Sequence, residues 1–185
     1  MKKAPVQTTL ERLARRLDQE GIPYAVVGGM ALSVHGFVRV TRDVDVLLSP
    51  AGLEAFGRLC VGRGYVAAFP GARTAFVDAE SRVPIEIITT GEYPGDGKPK
   101  PVVFPDPAAA SVEIEGIRVV ALPTLIELKL ASGLSAGHRL RDLADVQDLI
   151  VTLGLPSDLA NQLDSSVRDE YRRLWNLARA SGNPR

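Results

Sequence analysis

Two aspartates, Asp43 and Asp45, flank Val44 at the head of an apolar run that continues Val46-Leu47-Leu48. In a strand, successive side chains alternate faces, so both carboxylates share one face while Val44, Val46 and Leu48 turn to the core. Their spacing is roughly 6.6–6.8 Å along the strand. Such a pair can hold two hard cations about 3.5–4 Å apart, the arrangement used in two-metal phosphoryl and nucleotidyl transfer. With no counter-charge the two groups would repel and one pKa would rise. The ordinary alternative is an exposed edge strand carrying solvated aspartates.

Upstream, the apolar segment Tyr24-Ala25-Val26-Val27 runs directly into Gly28-Gly29. Two glycines between a strand and a helix let backbone N–H groups approach a triphosphate closely, and the helix start favours the negative charge. A third carboxylate, Glu86, stands in Val83-Pro84-Ile85-Glu86-Ile87-Ile88, where an acid is costly unless it is paired or binds metal. The alternative there is an edge-strand glutamate facing water. Arg39 and Arg42 flank Thr41 just before the first aspartate and are candidates to pair with a triphosphate or brace the carboxylates. His35, beside Gly36, reads as a hydrogen-bonded helix-end histidine rather than a base.

A second constellation lies in the last third. Lys129 is the single charged residue from Leu128 to Gly137 and falls inside the apolar arc of its helix. It either snorkels to water or points into a cleft to hold phosphates as a point charge. The run from Arg139 to Asp148 reads, taken alone, as a solvated helix face with an Arg141–Asp145 pair four residues apart.

The elements that must position these groups follow from periodicity and punctuation. Residues 6–20 have helical spacing (Leu10, Leu13, Ala14, Leu17), with Thr8 and Glu11 spaced as a capping box and Gly21 as a stop. A strand over 24–27, a short helix over 30–36, a strand over 44–48 and a helix over 51–61 follow, then short strands near 64–69, 73–78 and 84–88. From Thr90 to Pro107 the composition turns to Gly, Pro, Lys and Asp, which predicts a long exposed loop or irregular edge. Glu115-Gly116 is placed to turn a hairpin over 111–120. Helices are expected over 124–135, 139–153 and 158–180, the last packed by Tyr171, Leu174, Trp175 and Leu177. The order predicts an α+β chain with a mixed sheet backed by helices and a helical C-terminal third. The division falls as 1–122 and 123–185, with the helical region packed on the core.

Taken together, Gly28-Gly29, Ala31-Leu32, His35-Gly36, Arg39-x-Thr41-x-Asp43-x-Asp45 and the later strand residue Glu86 resemble the nucleotidyltransferase superfamily of the DNA polymerase β type. Within it the chain looks like the AbiEii-type toxins and their bacterial relatives, over roughly residues 22–153. The resemblance implies a polymerase β-like core that uses two Mg²⁺ ions, with Mn²⁺ as a substitute, held by Asp43, Asp45 and Glu86. It also implies nucleotide binding by Gly28, Gly29, Arg39, Thr41, Arg42 and Lys129. An Arg-x-Arg-Asp-x-x-Asp run like that of the AbiEii-type proteins carries Asp142 and Asp145 over as partners of Lys129 toward the acceptor, unranked. The superfamily often has Ser where this chain has Gly29, a departure that bears on nucleotide affinity.

Composition limits the partners. The 185 residues hold 22 Lys+Arg and 22 Asp+Glu, so sequence-independent binding to nucleic acid by bulk charge is not expected, a balance that leaves room for a local basic groove. One cysteine, Cys60, gives neither an internal disulfide nor a metal cluster. No apolar run approaches a membrane span, and Met1-Lys2-Lys3-Ala4-Pro5 lacks the apolar stretch of a signal peptide, so a cytoplasmic chain without a membrane partner is expected. The resemblance implies transfer of an NMP from an NTP to RNA, such as a tRNA 3′ end, or to a protein hydroxyl, in a toxin restrained by a cognate antitoxin. Two other readings stand beside it: an antibiotic-modifying transferase acting on a small molecule, and a module that binds a nucleotide or partner without turnover.

Overall fold

The computed structural model describes residues 4–181; the basic start Met1–Lys3, read above for a signal peptide, and residues 182–185 lie outside them. The chain divides into two compact units. One comprises the described residues of Met1–Gly91 with Pro105–Val120, the other Glu92–Phe104 with the described residues of Ala121–Arg185.

The first unit is a seven-stranded mixed sheet with helices. Helix α1 (Pro5–Gln19) precedes β1 (Tyr24–Val27), α2 (Gly28–Val34), β2 (Val44–Leu48), α3 (Pro50–Leu59), β3 (Tyr65–Ala67), β4 (Ala75–Asp78) and β5 (Pro84–Thr89). A single turn, α4 (Pro107–Ala110), leads to the hairpin β6 (Ser111–Ile114) and β7 (Ile117–Val120). The strands lie in the order β3-β4-β5-β2-β1-β7-β6. Two neighbouring pairs, β1 with β7 and β2 with β5, are parallel, and the rest are antiparallel. Interior strands buried on both faces need continuous apolar runs, and β1 is buried at all four positions. Leu10, Leu13 and Leu17 of α1 are buried, and Phe56 stacks with Tyr65 and Phe76 at ring-centroid distances of 5.5 and 5.1 Å.

Several boundaries are corrected. Helix α1 opens at Pro5 with Ala4 as its cap, so Thr8 is internal and donates to Ala4 O, while Glu11 accepts from Gln7 at 3.0 Å; there is no capping box. Proline in the first turn sets φ and gives up only an N–H that has no intrahelical acceptor. Helix α2 begins at Gly28 rather than at Met30. The hairpin turn is as expected, with Glu115 at φ 51° and Gly116 at φ 76°, the two left-handed residues that a type I′ turn requires.

In the second unit, α5 (Leu122–Ser135) and α6 (Leu140–Leu153) pack with α7 (Ser165–Ser181). The expected helix over 158–180 is broken: Ser157–Gln162 is a 3₁₀ segment, Leu163 is extended, and α7 starts at Ser165. Asp164 causes the restart by accepting from the Ser166 N–H at 2.9 Å and its hydroxyl at 2.6 Å, as an N-cap carboxylate does. On α7, Tyr171 and Leu174 are buried, and Trp175 Nε1 donates to Leu155 O at 2.9 Å. The Arg179 guanidinium lies 4.8 Å from the Trp175 ring centroid, and Leu177 is exposed rather than packed. The proline-rich stretch 92–104 is irregular but not simply exposed, since Pro94 and Val102 are buried. The Asp96 N–H donates to Ser135 Oγ and Arg139 donates to Gly95 O, which ties the stretch to the helices. No described helix is long and apolar enough to cross a membrane.

Candidate active site

Both strands that carry the acids are interior, β2 between β5 and β1 and β5 between β4 and β2, so neither is an edge strand, while Glu86 itself is exposed to solvent. Asp45 is in register with Glu86 across the parallel β2–β5 pair. The flanking pairs Val44 with Ile85 and Val46 with Ile87 are buried, so alternation puts Asp45 and Glu86 side by side on the opposite face. Neighbouring strands are about 4.8 Å apart, which sets the separation of the two backbones. Asp43 lies in a bend just before β2, not in the strand, and is exposed.

Gly28 answers Asp45 from below. Its φ is +64°, and a β-carbon built on it would lie 1.8 Å from Asp45 Oδ2. Only glycine leaves room for that carboxylate and tolerates that backbone. Gly29 has the same kind of relation to Thr41, whose Oγ1 would be 2.9 Å from its β-carbon. The Thr41 hydroxyl in turn donates to Asp43 Oδ1 at 2.7 Å. Thus a hydroxyl from the segment before β2 occupies the space where the serine of the superfamily pattern would start. Arg39 is half-buried in that segment and Arg42 is exposed. The expected helix-end role of His35 holds: its Nε2 is 2.8 Å from Val120 O.

The donor set suits a hard divalent cation, because Asp43, Asp45 and Glu86 offer only carboxylate oxygens. Among the described residues no three His, Cys, Asp or Glu side chains are grouped to hold a metal as they stand. The fit therefore rests on donor chemistry, on the Asp45–Glu86 register and on the space Gly28 leaves at the Asp45 carboxylate. The Thr41 hydrogen bond is the contact with which a metal at Asp43 would compete.

The second unit gathers the other three predicted residues. Lys129 is 7% exposed, and its Nζ donates to Asp142 Oδ1 at 3.0 Å and Asp145 Oδ2 at 2.8 Å. Asp145 is itself buried, so the solvated-face alternative fails for it. Ser132 Oγ donates to Asp142 Oδ2 at 2.7 Å; this partner was missed, although its position three residues after Lys129 puts it on the same helix face. Burial pushes the Asp142 carboxyl up, but the Lys129 charge and the hydrogen bonds from Ser132 and Lys129 outweigh it and hold it below the usual carboxylate range. The ammonium of Lys129 is thus already answered by two carboxylates.

No protein-family model and no curated protein matches the chain. Solved structures do resemble it. A crystal structure of ANT(2″)-Ia in complex with adenylyl-2″-tobramycin is 11% identical, with TM-score 0.56 over 95% of this chain and 98% of that one. The solution structure of the same antibiotic-resistance factor gives 13% identity and TM-score 0.53, covering 95% and 94% of the two chains. An antigenic nucleotidyltransferase-like protein from Paracoccidioides brasiliensis is 16% identical, with TM-score 0.57 over 95% and 88%. The fold is that of these nucleotidyltransferases: an α+β chain with a mixed sheet backed by helices.

Proposed function

We propose that the chain is a metal-dependent nucleotidyltransferase, moving an NMP from an NTP to a hydroxyl acceptor with release of pyrophosphate. The observation that carries this reading is the in-register pair Asp45 and Glu86 on interior strands, with Gly28 shaped to the Asp45 carboxylate. Asp43, Asp45 and Glu86 would hold two Mg²⁺ ions, for which Mn²⁺ substitutes. Bound there, the ions supply charge neutralisation at the α-phosphorus and at the leaving pyrophosphate.

The chain's own groups do the rest. Gly28 and Gly29 open α2, so their N–H groups have no intrahelical acceptor and are available to phosphate oxygens. Arg39, with Arg42 and the Thr41 hydroxyl, serves the triphosphate from the neighbouring segment. Glu86 takes the proton of the attacking hydroxyl as it approaches the α-phosphorus in line. Lys129 acts as a positioning residue that fixes Asp142 and Asp145 for the acceptor, beside the triphosphate contact expected of it.

The resemblance to AbiEii-type toxins favours an RNA acceptor, such as a tRNA 3′ end, or a protein hydroxyl, in a cytoplasmic toxin held in check by a cognate antitoxin. A small-molecule acceptor of the antibiotic type is favoured instead by the likeness to ANT(2″)-Ia, which spans nearly the whole of both chains. Incubation with each α-³²P-labelled NTP, Mg²⁺ and total bacterial tRNA tests the choice, with Asp45→Asn as the control. Label on RNA that the variant loses supports transfer to RNA. Label on protein or on an added aminoglycoside, again lost in Asp45→Asn, moves the acceptor. Absence of both transfer and NTP·Mg²⁺ binding overturns the enzyme reading.

A further inference from the structure

The sheet-bearing unit carries a polar cavity of about 370 Å³, which shares no lining residue with the carboxylate site. Its walls come from α1, from the start of β3 and from the end of β4. Four arginines line it, Arg12, Arg15, Arg16 and Arg63, against the two carboxylates Asp78 and Glu80. Both acids are already engaged. Arg12 donates to Asp78 Oδ1 at 2.9 Å and also bonds Glu80. Arg16 is fixed by Leu59 O at 2.8 Å and by Glu20 at 2.8 Å. The cavity wall is left with a net positive charge.

Arg15 and Arg63 stand exposed at the rim with no ion-pair partner among the described residues.

We infer that this cavity is a binding site for a phosphate group, bound by the guanidinium groups that line it, Arg12 and Arg16 on its wall and Arg15 and Arg63 at its rim. A tetrahedral phosphate presents acceptor oxygens in several directions at once, which matches donors arriving from α1 and from the segment before β3. Guanidinium groups are the side chains best suited to it. A nucleic-acid backbone and a free phosphate compound both present this group; the inference holds for both and does not depend on nucleotidyl transfer.

The test is calorimetric titration of inorganic phosphate into the full chain, in EDTA and at fixed ionic strength. Saturable binding is expected, weakened about tenfold in the Arg15→Ala/Arg63→Ala double variant by loss of two charge-assisted contacts. Asp45→Asn should bind phosphate as the parent does. No saturable binding, affinity unchanged in the double variant, or binding lost in Asp45→Asn would overturn the inference. A single-stranded RNA oligonucleotide added without Mg²⁺ then separates the sources. Competition that requires Arg15 and Arg63 assigns the group to a nucleic-acid backbone, and its absence assigns it to a free phosphate compound.

Discussion

The Thr41 hydroxyl is 2.7 Å from Asp43 Oδ1 and would be 2.9 Å from a β-carbon on residue 29. One side chain thereby couples the glycine pair to the first acidic residue. Gly29→Ser must push Thr41 aside and loosen its bond to Asp43. It is expected to lower stability by about 1 kcal/mol, the worth of one hydrogen bond. In Thr41→Ala the same Gly29→Ser change should cost clearly less, because only the β-carbon of residue 41, 3.1 Å away, is left to give way. A double-mutant cycle in urea measures the coupling, and simple additivity of the two changes would show that the contact carries no energy.

Gly28→Ala meets two obstacles, the Asp45 carboxylate and a left-handed backbone at φ +64°. Combining it with Asp45→Ala removes the carboxylate and leaves the Asp45 β-carbon at 3.0 Å and the backbone. The single variant should be clearly destabilised, and the double variant should recover much of the loss but keep at least about 1–2 kcal/mol, the strain of a non-glycine residue there. Thermal denaturation of both variants checks this; equal loss in the two would mean that Asp45 moves away without resistance.

Metal binding should be visible without turnover. A ligand present at about ten times its Kd stabilises the folded chain by about 1.4 kcal/mol. Millimolar Mg²⁺ should therefore raise the Tm of the parent chain and leave Asp45→Asn and Glu86→Gln unmoved. A rise of the same size in all three would place the binding elsewhere.

Lys129→Met strands two carboxylates in a buried setting. Breaking a buried ion pair from one side costs about 3–5 kcal/mol, because the remaining charge is left unanswered. Replacing both acids as well, as Asp142→Asn and Asp145→Asn, should return much of that loss. Urea unfolding of the single and triple variants checks it, and a Lys129→Met chain of parental stability would put the ammonium in solvent.

Asp142 gives the cluster an acid limit. Its carboxyl titrates lower in the folded chain than in the unfolded one, where about 3.9 is usual. The unfolded state thus takes up the proton first as pH falls. The stability Asp142 contributes is complete above about pH 4 and drains away as pH drops through its lowered folded value. Asp142→Asn should flatten that part of the stability–pH curve, followed by urea midpoints between about pH 5 and 2.

Much of this architecture was legible because local signals agreed with it. The strands over 24–27 and 44–48, the Gly21 stop and the Glu115-Gly116 turn all declare themselves through apolar runs or left-handed glycines. The position of Asp43 did not, because alternation cannot tell where a strand begins. The 3₁₀ break before α7 was hidden for a similar reason, since Leu159 and Leu163 keep helical spacing across it while Asp164 restarts the helix. Within the site, Asp45 beside Glu86 depends on which strands pair, a property of topology that spacing does not carry. The Lys129 cluster needed the packing of α5 on α6: the residues alone offered snorkelling or phosphate, and only the family resemblance joined Lys129 to Asp142 and Asp145.

Trp175 is the single tryptophan of the chain, and it sits in the helical unit with its indole N–H bonded to Leu155 O and the Arg179 guanidinium by its ring. Its emission on excitation at the red edge of the absorption band, where tyrosine is silent, therefore reports that unit alone. The sheet-bearing unit, with Tyr24 and Tyr65 in its core, has no emitter of its own at that wavelength. The molecule thus comes with a built-in optical separation of its two halves, available without any label.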